Sequence, residues 1–305
     1  MLIKKKTLII LILLILLVLA IIYFVFHNSY KDPYEFNGNT LHYSESRGKA
    51  NYEISLKYHN GTFDVYYLNF TSRNFLDNPT LMHALLFMPN NKANKKVPGL
   101  VLLPGGGVSK EGESRLASII ANLGYAVLTI DQRGIGQTGG YYLSLEDDYQ
   151  VFLKGKEPVQ HLSVYDALKT YDILRNINGM DKNNIGIMGE SMGGRYAIIA
   201  AAIDKQLKGV IAISVSGFHL QNSPQANAFL VSIDPDHYID KISPNHVFMF
   251  QSENDKTTKI QDAQLTFNLA KEPKRFYSFS SPYCMHGYCA AMYDDLKEAL
   301  EILFK

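Results

Sequence analysis

The sequence predicts an α/β fold: a mostly parallel central sheet with helices on both faces, preceded by one N-terminal transmembrane helix. Three observations carry that reading. From Val97 onward, short apolar runs alternate with stretches of helical periodicity, the pattern that builds a parallel sheet covered on both sides. Residues 51–88 have instead the alternating, aromatic and β-branched texture of antiparallel strands. Ahead of both, Leu8 to Phe26 runs nineteen residues without a charge, a Gly or a Pro.

That first run spans about 28 Å as a helix, close to the hydrocarbon thickness of a bilayer. Lys4, Lys5 and Lys6 precede it and only Lys31 follows closely, a bias that keeps the N-terminus cytoplasmic and the rest of the chain extracytoplasmic. A cleaved signal peptide is the competing reading, but its apolar core usually runs roughly 7–15 residues. Val25, Phe26, His27 and Asn28 also offer no small-residue cleavage site. The expected organisation is therefore lysines and anchor over 1–27, a polar tether over 28–50, and one folded domain over 51–305. The anchor has no small-xxx-small face, and nothing in the sequence sets an oligomeric state.

Within the domain, Tyr52 to Leu56 alternates, Asn60-Gly61 signals a hairpin, and Phe63–Phe70 and Leu81–Met88 are further strands. Val97–Leu103 begins the parallel part and ends at Pro104-Gly105-Gly106-Gly107. A helix is expected over Glu113–Leu123, a strand over Tyr125–Ile130, and a helix over Val159–Asn176, with Val164, Leu168, Tyr171 and Leu174 on one face. Ile185–Met188, Val210–Val215, Val247–Phe250 and Arg275–Phe279 are the later strands. Met192–Ala202, Ile260–Ala270 and Ala290–Phe304 are the later helices.

Charge excludes some partners. Without the three N-terminal lysines there are 27 basic against 29 acidic residues, and no basic stripe appears, so no nucleic-acid partner is expected. The histidines show no metal-ligand spacing and the cysteines number two, so no metal site is expected. Cys284 and Cys289 are close enough in sequence to close a small disulfide loop, or to stay as two thiols; the sequence leaves both open.

The chemistry concentrates in Gly189-Glu190-Ser191-Met192-Gly193, a G-x-S-x-G between an expected strand and an expected helix. A serine exposed on so sharp a turn needs neighbours without Cβ, and the helix N-terminus behind it favours a developing oxyanion. On these residues the chain resembles the α/β-hydrolase superfamily, in particular its esterase, dienelactone-hydrolase and serine-peptidase-like branches, over roughly Asn51 to Lys305. The resemblance implies an eight-strand-like sheet and a triad in the order Ser, acid, His. Asp255, just past the Val247–Phe250 strand, and His286, past the last strand, match those places. Glu253 is the alternative acid.

The resemblance also implies an oxyanion hole built from the amide of Met192 and one from Gly106 or Gly107. Pro104 stands where relatives often carry histidine. Asp131-Gln132-Arg133-Gly134-Ile135-Gly136 resembles a segment common in these branches and is expected to pin a turn rather than meet substrate. His219, His237 and His246 are expected to be structural. His219–Phe229 is a candidate flap, and Tyr141–Lys156 a candidate pocket rim.

The function so implied is a serine hydrolase that cleaves carboxylic esters through an acyl-serine intermediate, without a cofactor. A peptidase or amidase with the same triad is the nearest alternative. A membrane-tethered binding protein of the same fold is the alternative from another class, and the ordered trio Ser191, Asp255 and His286 speaks against it.

Overall fold

The computed structural model describes residues 14–19, 34–36, 40–44, 47–75, 78–90, 95–220, 223 and 227–305. Residues 1–35 form one unit, within which residues 14–19 are helical, and residues 36–305 form a second. Most of the expected anchor, Leu8–Phe26, lies outside the described residues. Among the described residues no helix is long and apolar enough to cross a membrane.

In chain order the strands are β1 (Tyr34–Phe36), β2 (Leu41–Tyr43), β3 (Glu53–Asn60), β4 (Phe63–Phe75), β5 (Asn78–Pro89), β6 (Val97–Leu103), β7 (Ala126–Ile130), β8 (Met180–Glu190), β9 (Gly209–Ile213), β10 (His246–Ser252) and β11 (Lys274–Phe279). The helices are α1 (Ser114–Asn122), α2 (Leu145–Leu153), α3 (Val159–Asn176), α4 (Met192–Ile203), α5 (Ala228–Ser232), α6 (Ile260–Leu269) and α7 (Tyr293–Leu303). Nine strands form the main sheet in the order β11-β10-β9-β8-β6-β7-β5-β4-β3. The six strands from β11 to β7 pair in parallel, while β5, β4 and β3 add on antiparallel beyond β7. The expected antiparallel edge is present and supplies three long strands, so the sheet is larger than the eight-strand-like one anticipated.

The reason for the two textures is burial. β7 and β9 are buried at every position, as strands covered on both faces must be, and so read as continuous apolar runs. At the other extreme β3 is an edge strand paired only with β4, and Ile54, Leu56 and Tyr58 stay exposed despite their alternating pattern. Leu116 and Ile120 of α1 and Leu296 and Leu300 of α7 share one core cluster with Leu100, Leu102, Phe248 and Phe250 of the sheet. α3 is buried along most of its length and packs against α4, the helix that follows the G-x-S-x-G turn.

Buried ion pairs fasten the loops at the strand ends. Arg133 binds Asp166 of α3 through two contacts of 2.6 and 2.8 Å and donates to Thr80 at 2.9 Å; the same carboxylate also accepts from Ser72. Asp131 accepts from the Lys110 ammonium at 2.7 Å and from the amides of Lys110 and Gln137 at 2.8 Å each. The Asp131–Gly136 segment thus pins a turn, as its pattern implied. Gly136 is needed there, since a Cβ would fall 2.3 Å from the Asp131 carboxylate. Inside the stretch read as tether, Leu41 is buried with its amide donating to the Tyr238 hydroxyl, and Arg47 is buried against Asp172 and Asp204.

Replacing Asp166 by Asn leaves the Arg133 guanidinium buried beside a neutral group. The expected cost is about 3–5 kcal/mol of unfolding free energy, read by urea denaturation.

Candidate active site

β8 ends at Glu190 and α4 begins at Met192, so Ser191 alone makes the reversal. Its backbone has φ 50° and ψ −117°, outside the regions that L-residues favour. The neighbouring glycines are there for steric reasons. A Cβ on Gly189 would lie 2.3 Å from the Gly193 carbonyl oxygen, and one on Gly193 would lie 2.3 Å from that of Leu103. The Ser191 amide donates to the Ile213 carbonyl of β9 at 2.8 Å, which fastens the turn to the sheet.

His286 and Asp255 come from loops after β11 and β10. The His286 Nδ1 lies 2.8 Å from Asp255 Oδ2. The other carboxylate oxygen accepts from the amides of Thr257 at 2.8 Å and Thr258 at 2.9 Å. Burial alone would raise the Asp255 carboxyl, but the Thr258 amide, the His286 ring and the Thr257 amide together hold it below the ordinary carboxylate range. Glu253, the alternative acid, is exposed.

The histidine loop is tied down from several sides. Cys284 and Cys289 are disulfide-bonded, closing a small loop around His286. Ser252 donates to the Cys284 carbonyl at 2.5 Å, and the Gly287 amide donates to the Ser214 hydroxyl at 2.9 Å.

Ser191, Met192, Gly106 and His286 line one cavity of about 540 Å³. Ser191 and His286 face that shared space with no hydrogen bond closed between them. Gly105 to Val108 forms a turn closed by the Val108 amide on the Gly105 carbonyl at 3.2 Å, with Gly107 at φ 76° in the place that requires a left-handed residue. Gly106 is on the cavity wall beneath the Tyr142 hydroxyl and the Met192 side chain, whereas Gly107 shapes the turn. Gln132 anchors this loop by donating to the Pro104 carbonyl at 2.6 Å.

Of the expected rim, Tyr142 to Leu145 line the cavity, while Tyr149 stacks on the buried Phe229 and Phe152 packs against it at a tilt. The flap expected over His219–Phe229 falls partly outside the described residues. His219 is bound to Asp236 at 2.8 Å, and His246 stacks on Phe248.

Two carboxyls behind the site were not anticipated. Glu113, at the start of α1, has the Gly105 amide acting to lower its carboxyl, and Glu190, inside the motif, receives the Tyr288 amide at 3.3 Å. They therefore meet the loops that carry Gly106 and His286. Burial followed by the Glu190 charge pushes Glu113 up to about 8, and burial raises Glu190 as well. The only sequence signal was the middle position of G-x-S-x-G, which the motif leaves free.

The chain matches the family model described as acetyl xylan esterase (AXE1) over residues 23–218. The match includes Gly106, Ser191 and Met192 and stops before Asp255 and His286. The uncharacterised protein YcjY of Escherichia coli (strain K12) is 27% identical over 150 residues, 48% of this chain and 44% of that protein. This chain therefore spans less than half the length of that curated relative. Among solved structures, an acetyl xylan esterase from Paenibacillus sp. R4 superposes with TM-score 0.69 at 17% identity, covering 84% of this chain and 90% of that one. Acetyl xylan esterase 1 from Thermoanaerobacterium sp. JW/SL YS485 gives 0.66 at 17% identity, covering 85% and 89%. These likenesses establish the α/β-hydrolase fold.

The raised Glu113 carboxyl sets a pH dependence. A folded-state value above the unfolded one contributes stability that is complete below about 4.5 and is lost as pH rises through about 8. Thermal midpoints measured across that window should fall for the wild-type chain, and the fall should be shallower in Glu113→Gln.

Proposed function

This chain belongs to the acetyl xylan esterase family, and on that premise we propose that it is a serine hydrolase cleaving carboxylic esters through an acyl-serine intermediate, with Ser191, His286 and Asp255 as its triad. The observation that carries the reading is the strained Ser191 turn opening on the same cavity as a histidine whose far nitrogen is held by a buried carboxylate.

In this mechanism the Ser191 hydroxyl attacks the ester carbonyl carbon while the His286 Nε2 takes its proton. Asp255 keeps the proton on Nδ1 and stabilises the imidazolium. The oxyanion is received by the amides of Met192 and Gly106; the first is a helix-start amide that has no acceptor within its own helix. Collapse expels the alcohol, which takes the proton back from His286. A water activated by the same ring then attacks the acyl-serine, releasing the acid and restoring Ser191. Each step is proton transfer or acyl transfer, and the three side chains and two amides suffice without a cofactor. The family's name points to small acyl groups such as acetyl.

We further propose that residues 1–27 anchor the chain in a membrane with the hydrolase domain extracytoplasmic. The nineteen-residue apolar run and its preceding lysines support this, and the Cys284–Cys289 bond fits an oxidising compartment.

Two outcomes are expected. Hydrolysis of 4-nitrophenyl acetate should fall roughly 10⁴- to 10⁶-fold in kcat for Ser191→Ala and for His286→Ala, with Asp255→Asn close behind. Full turnover in Ser191→Ala would remove the triad, and cleavage of aminoacyl amides in preference to esters would turn the reading toward a peptidase. The full chain should remain with membranes after an alkaline wash, and residues 28–305 alone should not. Release of the full chain by that wash would contradict the anchor.

A further inference from the structure

Arg195 stands four residues after Ser191, one turn into α4, and its amide donates to the Ser191 carbonyl at 3.1 Å. Helical spacing puts the two side chains on the same side of the helix, and both line the same cavity. The arginine is buried, only 9% exposed. Its Nη2 donates to the Gln160 Oε1 at 2.6 Å, and its guanidinium lies over the rings of Phe218 at 5.2 Å and Tyr196 at 5.4 Å. Its Nε is buried without a hydrogen-bond acceptor.

Three other buried cations are treated differently, while Lys169 gives its ammonium to the Arg47 and Lys49 carbonyls at 2.6 and 2.9 Å. Arg47, Lys110 and Arg133 each meet a carboxylate at 2.6–2.7 Å. Arg195 meets none among the described residues, and no Asp or Glu lines the cavity. The buried carboxylate beyond Gln160, Asp148, has both oxygens taken by the first amides of α3, at 2.7 Å from Val159 and 2.8 Å from Gln160. A buried charge without a counterion is costly, and the first turn of a helix is where the backbone field is least favourable to a cation. Both costs would vanish if the counterion arrived with the substrate.

Resting on the esterase reading above, we propose that the substrate is an ester that also bears a carboxylate, and that Arg195 receives it. Arg195 thereby acts as a specificity-determining residue. Gln160 and Phe218 hold the guanidinium flat in the cavity wall, a geometry that a planar carboxylate matches and a lone hydroxyl does not. The guanidinium makes no contact with the reacting carbonyl in this scheme; it selects which ester is held there.

The test compares acid-bearing and neutral esters within each protein, so that general damage to a variant cancels in the ratio. Mono-4-nitrophenyl adipate against 4-nitrophenyl heptanoate places the acid on the acyl side. Acetoxybenzoic acid substituted at the 4-position, against its methyl ester, places it on the alcohol side. In the wild-type full chain one of the two pairs should favour the acid by about 10- to 100-fold in kcat/KM, the range of one charge-assisted hydrogen-bonded contact. The ratio should drop to near one in Arg195→Gln and recover in part in Arg195→Lys. A wild-type ratio near one in both pairs, or a ratio unchanged in Arg195→Gln, overturns the inference while leaving the esterase reading in place.

Should no ester be turned over, the esterase reading fails, and binding still decides the role of Arg195. Adipate or 4-hydroxybenzoate should then raise the thermal midpoint of the Ser191→Ala chain more than the matching neutral amides do. Equal shifts would overturn it. The Ser191→Ala arm also serves if Arg195→Gln does not fold.

Discussion

Ser191 holds a backbone conformation that costs an L-residue about 1–3 kcal/mol, and the surrounding chain leaves it no alternative. The crossing of β8 into α4 is so close that Gly189 and Gly193 meet backbone atoms where a Cβ would be. The Ser191 amide is fixed to β9, and the sheet beneath is buried on both faces. Strain of this kind persists only where packing over-determines it. Here it lifts one hydroxyl out of the sheet at the mouth of a cavity and sets the N-terminal amides of α4 beside it. The remaining features of the site act on that fixed point.

The loops that meet it are positioned by polar groups that the reaction does not touch. Asp255 is held by two backbone amides, the Gln251 side-chain amide and the His286 ring, so the histidine is presented in one orientation. The disulfide and the Ser214 and Ser252 hydroxyls hold the segment on either side of it. Gln132 holds the loop of Gly105–Gly107 through the Pro104 carbonyl, and Glu190 reaches from the nucleophile's own turn to the histidine loop. Burial raises both Glu113, to about 8, and Glu190, so the surroundings disfavour negative charge near the place where an oxyanion would form.

Much of this was legible in the residues, for identifiable reasons. The strand-turn-helix around Ser191 imposes its own glycines, so the motif and its context appear together in the sequence. Asp255 and His286, which the structure brings within 2.8 Å of each other, were singled out because a late acid and a last histidine occupy fixed places in the resembled fold, not because their neighbours announced them. Val159–Asn176 was read with its observed bounds because its apolar face repeats at helical spacing. Other features left no such trace. The outward face of β3 alternates like a half-buried strand, yet it lies at the sheet edge, and edge position is a property of topology. Arg47 looked like part of a polar tether because its partners, Asp172 and Asp204, are more than a hundred residues away. Arg195 and Glu113 gained meaning only when burial and the absence or presence of partners were known. The disulfide was open between two readings until the Cα atoms were placed 5.3 Å apart.

The most direct measurement of the central claim is the site of covalent capture. The folded full chain is treated with a fluorophosphonate, digested, and the modified peptide sequenced by mass spectrometry. An activated serine predicts one phosphonylated residue, Ser191, with modification abolished in His286→Ala although Ser191 is still present. Modification of another residue, none in a folded chain, or labelling of Ser191 that survives loss of His286 would contradict it.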